Sequence, residues 1–212
     1  RLTIMTAITA RLQTEHRLQL QGAALQAAAH TIVITDRDGI IEWVNPAFAT
    51  LTGYTAAEAV GRNSRDLVKS DQHSDAFYKS LWDTILAGQV WQGEIVNRRK
   101  DGSLYTELQT ITPVRNERGE ITHFIAIKED ITARKLAEAT LTLTHRRVSV
   151  LAQLGRELAE AATPRAAALA IIEAARELLG WDCCWLHYWN EGEQVFENPV
   201  NFDLVGGEQV GD

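Results

Sequence analysis

The stretch WQGEIVNRRKDGSLYTELQTITPVR, residues 91–115, decides the fold. Trp91, Gly93, Ile95 and Asn97 fall at every second position and so share one face of an extended strand. A strand over 91–100 is followed by a second over 103–115. The turn between them, Lys100-Asp-Gly102, carries glycine where positive φ is needed. A third strand, residues 121–131, follows the turn Asn116-Glu-Arg-Gly119.

Upstream, Thr31–Asp36 and Ile40–Asn45 are two further β-rich runs, and Asp36-Arg-Asp-Gly39 joins them as a hairpin. Asn45-Pro46 then predicts a helix start with Asn45 as N-cap, running from Ala47 to Thr52 and ended by Gly53. Residues 55–67 read as short helical pieces, with a capping box at Thr55-Ala-Ala-Glu58. A longer helix over 75–87 carries Phe77, Leu81, Trp82 and Ile85 on one face. Strands and helices do not alternate, so the fold class is α+β with an antiparallel sheet.

Helical patterns flank this core. Residues 1–29 lack proline and carry a loose apolar stripe of Ile4, Ile8, Leu12, Leu18 and Leu25, with Gly22 as a weak point. That helix reads equally as a coiled-coil strand or as an amphipathic helix packed on its own domain. In residues 133–162 a heptad seam runs through Ala137, Leu141, Thr144, Val148, Leu151, Gly155, Leu158 and Ala162. Leu136, Leu143, Val150 and Leu154 form a second apolar line beside it. Thr163-Pro164 opens another helix to Leu179, Trp181 to Trp189 reads as a strand, and Glu191-Gly192-Glu193 as its turn. The expected organisation is an N-terminal helix (1–29), a central domain (30–132), a linker helix (133–162) and an incomplete second domain (163–212).

The 212 residues carry a net charge of −7 with both signs interspersed, which argues against a nucleic-acid surface. The two cysteines, Cys183 and Cys184, are adjacent and offer no disulfide framework, which fits a reducing compartment and leads to an expectation of a cytoplasmic protein. No run of about 18 apolar residues is present, so no membrane span is expected in this segment. The chain begins mid-pattern and is expected to be part of a longer one.

Residues about 24–132 resemble a PAS domain. The resemblance is carried by Ile34-Thr-Asp36, Gly39, Trp43-Val-Asn45-Pro-Ala-Phe48, Thr52-Gly-Tyr54, Glu58, Gly61-Arg-Asn63, Trp91-Gln-Gly-Glu94, Asn97-Arg-Arg-Lys-Asp-Gly102, Pro113-Val114, Gly119 and Asp130-Ile-Thr132. It implies a five-stranded antiparallel sheet with short helices over one face of a pocket. It also implies a sensory and dimerisation role, with no catalysis in this segment. Asp130 or Thr132 can cap the following helix and join it rigidly to the last strand. Residues about 150–212 resemble the opening of a GAF domain.

For the pocket, three resemblances point to different ligands. Trp91-Gln-Gly93 followed by Asn97 is similar to redox flavin-binding PAS domains of the NifL type, which implies FAD or FMN. Gly61-Arg-Asn63-Ser64-Arg65 is similar to the flavin-contacting motif of blue-light LOV domains, with Ser64 in place of the reactive cysteine. A hydroxyl lacks the thiol's acidity and nucleophilicity, so no cysteinyl adduct can form. Glu107 and Lys128 stand where that group has asparagine and glutamine. A haem PAS domain needs an axial histidine, and His73 reads instead as a solvated helix start. The candidate pocket residues are Asn63, Ser64, Trp91, Asn97 and Glu107. Trp43, Phe48, Phe77, Leu81, Ile111, Phe124 and Ile127 read as packing.

No phosphate loop, zinc spacing or nucleophile elbow appears, and His145, followed by two arginines, reads as a surface residue. The sequence therefore points to a sensory, homodimerising segment of a bacterial signalling protein. Its output domain would lie further along the same chain, as a histidine kinase or a cyclic-dinucleotide enzyme. The alternatives are a redox flavoprotein, a domain sensing some other small molecule, and a ligand-free structural spacer.

Overall fold

The computed structural model describes residues 2–180, 183–190, 192, 194–205 and 208–210, with side chains over 13–180 and at 187, 192 and 194. The elements run α1 (Leu2–Ala27), β1 (Thr31–Asp36), β2 (Ile41–Val44), α2 (Pro46–Thr52), α3 (Ala56–Ala59), α4 (Ser64–Val68), α5 (Asp75–Leu86), β3 (Trp91–Arg98), β4 (Leu104–Arg115), β5 (Ile121–Asp130), α6 (Thr132–Glu160), α7 (Pro164–Leu179), β6 (Cys183–Asn190), β7 (Val195–Val205) and β8 (Glu208–Val210). By packing, the chain divides into two units, Arg1–Lys135 and Leu136–Asp212, and the boundary falls inside the continuous helix α6.

In the first unit the five strands form one sheet in the order β2-β1-β5-β4-β3, and every pairing is antiparallel. The α+β class and the antiparallel five-stranded sheet read from the sequence are therefore present. The pleat sends alternate residues to opposite faces. On the inner face lie Val33, Ile95, Ile111, Phe124 and Ala126, all buried and covered by Phe48 of α2, Leu67 and Val68 of α4, and Leu81 and Ile85 of α5. Ile127, expected to pack, is 47% exposed. It sits between inward Ala126 and inward Lys128, so the alternation turns it to the outer face.

Local chemistry explains the short helices. The predicted capping box forms, with Thr55 and Glu58 each receiving the other's backbone N–H. Hydrogen bonds from Lys100 and Thr55 hold the Glu58 carboxyl down to about 2. Asn45 differs from expectation. Its side chain makes no cap bond to α2. It is buried, accepts the Ile32 N–H at 2.9 Å and donates to the carbonyl of His30 at 2.9 Å, stapling β1 to the connection from α1.

The N-terminal helix ends at Ala27 and passes through Gly22 without interruption. Residues 13–27 are all exposed, which overturns the reading of this stretch as packed on its own domain. The side chains of Ile4, Ile8 and Leu12 lie outside the described residues.

In the second unit, Thr163 caps α7 by accepting the Ala166 N–H at 3.1 Å, and Arg146 Nε donates to Glu177 Oε1 at 3.2 Å. Val150, Ala168 and Ile172 are buried, while Leu141, Leu143, Val148 and Leu151 are exposed. Strands β6, β7 and β8 form a three-stranded antiparallel sheet in that order, and the sequence reading anticipated only the first. Trp181, Asp182, Glu191, Glu193 and the side chains of Cys183 and Cys184 lie outside the described residues.

Candidate functional site

The inner face of the sheet does not close completely against α4 and α5. A cavity of about 120 Å³ remains, open on one side, smaller than the roughly 300–1,000 Å³ of most small-ligand sites. Its apolar walls include Val33, Leu81, Ile85, Ile95, Ile111 and Phe124. Its polar groups include Asn63, Ser64, Tyr78, Asn97, Gln109 and Lys128, with Arg65 and Lys69 toward its mouth.

Three of the five residues singled out from the sequence line this cavity: Asn63, Ser64 and Asn97. Asn63 is the N-cap of α4, where its Oδ1 accepts the Arg65 N–H at 3.0 Å. Its Nδ2 donates to the Asp38 carbonyl at 3.0 Å, so the β1–β2 turn fixes its amide. Ser64 opens α4, and its N–H donates to the Gly39 carbonyl at 3.3 Å. Asn97 is buried on β3, and its Nδ2 donates to Glu107 Oε1 at 3.0 Å.

Trp91 and Glu107 do not line the cavity. The Trp91 ring folds back over Gly93, where an added Cβ would meet it at 2.7 Å. It also meets Phe77 edge-to-face at 5.9 Å between ring centres. It therefore packs at the start of the strand, beyond the cavity wall. Glu107 is fully buried behind the wall. Its Oε1 accepts from both Asn97 and Lys128, the latter at 2.8 Å. Its Oε2 is buried without a hydrogen-bond partner among the described residues, as are the hydroxyls of Tyr78 and Tyr105. Burial and the neighbouring Glu107 charge push the Tyr105 phenol far above its ordinary range.

Sequence reasoning left Tyr78, Gln109 and Lys128 out of the site. The signal for two of them was present. Alternation along β4 puts Gln109 on the same face as buried Tyr105, Glu107 and Ile111, and Lys128 follows Phe124 and Ala126 at every second position of β5. The two are register partners across β4 and β5.

His73 is not a solvated helix start. Its Nε2 accepts the Val96 N–H at 2.8 Å, and its ring stacks on Phe77 at 4.3 Å. The Ser70 hydroxyl donates to the Val96 carbonyl. The segment before α5 is thus pinned to the edge strand β3 on both backbone groups of one residue.

The root of α6 is tied to the same strands. The Thr106 N–H donates to Thr132 Oγ1 at 2.9 Å, and the Thr106 carbonyl accepts the Ile131 N–H at 2.9 Å. Asp130 Oδ1 accepts the N–H and the hydroxyl of Thr132, at 2.9 and 2.6 Å. Burial opposes the Asp130 charge, yet the bonds from Thr132 and Arg99 outweigh it and hold the carboxyl below its ordinary value. Lys135 in the first turn of α6 pairs with Glu94 of β3 at 2.7 Å.

A family model described as a PAS domain matches residues 29–133. A nitrogen fixation regulatory protein of Klebsiella oxytoca is 38% identical over 117 residues, which are 55% of this chain and 23% of that protein. Phototropin-2 of Oryza sativa subsp. japonica is 33% identical over 111 residues, covering 51% of this chain and 12% of that one. This chain therefore spans less than a quarter of the length of either relative. The solved structure of an RNA-binding light-oxygen-voltage receptor matches with a TM-score of 0.55 at 29% identity, covering 62% of this chain and 39% of that one. Among the described residues no helix is long and apolar enough to cross a membrane.

Proposed function

We propose, from the premise that residues 29–133 are a PAS domain, that this chain is the sensory segment of a signalling protein. A small molecule in the cavity would change the strain in β4 and β5, and α6 would carry that change onward. One observation supports this above the others. Thr106, whose backbone holds Thr132 and Ile131, is the immediate neighbour of Glu107, which is bonded to the cavity residues Asn97 and Lys128. A ligand that disturbs this polar cluster acts one residue from the helix root, and small shifts at such a junction can bias a bistable helix pair.

The ligand we assign is a flavin, FMN or FAD. The polar residues lining a mainly apolar cavity suit the polar edge of a flat heterocycle, and seating its full ring system requires the side chains of α4 and α5 to move outward. When bound, a flavin would supply redox chemistry of its own. This chain's part is to hold it between the sheet and α5, present Gln109 and Lys128 to its edge, and offer Ser64 where a cysteine would be needed for an adduct. The absorption spectrum of the purified protein tests this, after incubation with FMN or FAD and removal of the excess. Bands near roughly 370 and 450 nm support a bound flavin, and a colourless protein rejects it.

Homodimerisation belongs to the same proposal. Exposed Leu18, Leu20 and Leu25 on α1, and Leu141, Val148, Leu151 and Leu158 on α6, are apolar side chains that a second copy could cover. Analytical ultracentrifugation showing only monomer at tens of micromolar would overturn this part. Residues 163–212 are assigned as the opening of a GAF-like domain, on the order α7-β6-β7. The output domain is assigned to the same polypeptide, as a histidine kinase or a cyclic-dinucleotide enzyme in the cytoplasm. Sequencing the full reading frame tests both assignments. A frame ending shortly after residue 212 sinks them.

A further inference from the structure

The charges that face the cavity are all of one sign. Arg65, Lys69 and Lys128 line it, and no carboxylate does, although the chain as a whole carries −7. Arg65 is exposed and Lys69 half-buried, so both sit toward solvent. Lys128 is different. It is 3% exposed, and it stands on the central strand β5. An ammonium in that position is stable only with a partner. Glu107 provides it from behind the wall, through one oxygen at 2.8 Å.

The pair is incompletely satisfied on both sides. Lys128 Nζ has three N–H donors, and among the described residues its one hydrogen bond goes to Glu107 Oε1. Glu107 Oε2 has none. Of the two residues, Lys128 lines the cavity and Glu107 does not. A ligand edge reaching the Lys128 ammonium therefore meets a buried cation with N–H donors beyond the one given to Glu107.

The geometry points to Lys128 as the specificity determinant of this cavity: it selects ligands that bring an anionic edge, and Glu107 gives up part of its hold on the ammonium when such a ligand enters. This rests on the reading that the cavity takes a small molecule, but it does not depend on that molecule being a flavin. It also states what the cluster next to Thr106 senses, namely the charge on the ligand edge.

The test compares two flat aromatic probes of the same shape, 2-naphthoate and 2-naphthamide, titrated into the full chain by calorimetry. The expected result is about tenfold tighter binding of the carboxylate, the size of effect a charge-assisted hydrogen bond in a dry site gives. Lys128→Gln and Lys128→Met should abolish that preference. Equal binding of the two probes by the unmodified chain, or binding of neither, overturns the inference without need of any variant. Flavin uptake without a naphthoate preference sinks this inference alone, whereas a naphthoate preference without flavin uptake sinks only the flavin assignment.

Discussion

Arg99 Nη2 donates to Asp130 Oδ2 at 2.7 Å, which binds the turn after β3 to the last residue of β5. The same guanidinium donates to the Leu51 carbonyl in α2 and lies over the Tyr105 ring at 4.5 Å. One side chain thus joins α2, the buried face of β4 and the residue that receives Thr132.

Asp130 gives the domain an acid-sensitive joint. Its carboxyl lies below the ordinary value when folded, so its stabilising effect is complete above about pH 4 and disappears as pH falls through the folded value. Asp130→Asn should therefore unfold at lower urea than the wild type at pH 7, and the gap should close toward pH 3. A gap that is constant across that range would refute the assignment.

Asn45 is a second joint, between α1 and the sheet. Asn45→Ala leaves the Ile32 N–H and the His30 carbonyl without their partner in a buried place. The expected loss is about 1–3 kcal/mol in urea unfolding. Amide exchange over residues 28–33 should speed up more than exchange in β4.

His73→Ala removes the acceptor for the Val96 N–H. Exchange of that amide should accelerate by about tenfold, equivalent to one net hydrogen bond. Near-normal exchange would show that the segment before α5 holds without it.

Core and surface should separate cleanly. Phe48→Ala empties a site that is 1% exposed and should lose about 3–5 kcal/mol. Ile127→Thr, at 47% exposure on the outer face, should stay within about 0.5 kcal/mol. If Ile127→Thr proves as damaging as a core change, something covers that face in solution.

The strands were legible because their signals are local. Period-two alternation and Asp-Gly or Arg-Gly turns fixed β3, β4 and β5 to within two residues of the observed bounds. The capping box at Thr55 was likewise readable, since it spans only four positions. Asn45 was misread because an asparagine before proline looks like a cap whether or not its amide has a better use 15 residues away. His73 was misread for the same reason, its partner being 23 residues further along the chain. The cavity was only partly legible. Asn63, Ser64 and Asn97 were found by motif, while Lys128 and Gln109 follow from strand alternation that was used to place packing and not the site. Trp91 shares the inward face, but its ring turns toward Gly93 and Phe77, which no spacing rule reveals.

The clasp of Ser70 and His73 on Val96 has a consequence for assembly. Strand β3 is one margin of the sheet, and an open margin invites recruitment of foreign strands and fibre growth. Here both hydrogen-bonding groups of a residue in that margin are already taken from outside. At the opposite margin the Ile41 N–H and carbonyl are engaged by Arg62 and Gly61. An incoming strand pairing at Val96 or at Ile41 would first have to evict these occupants, so each margin is guarded at one point by the protein's own loops.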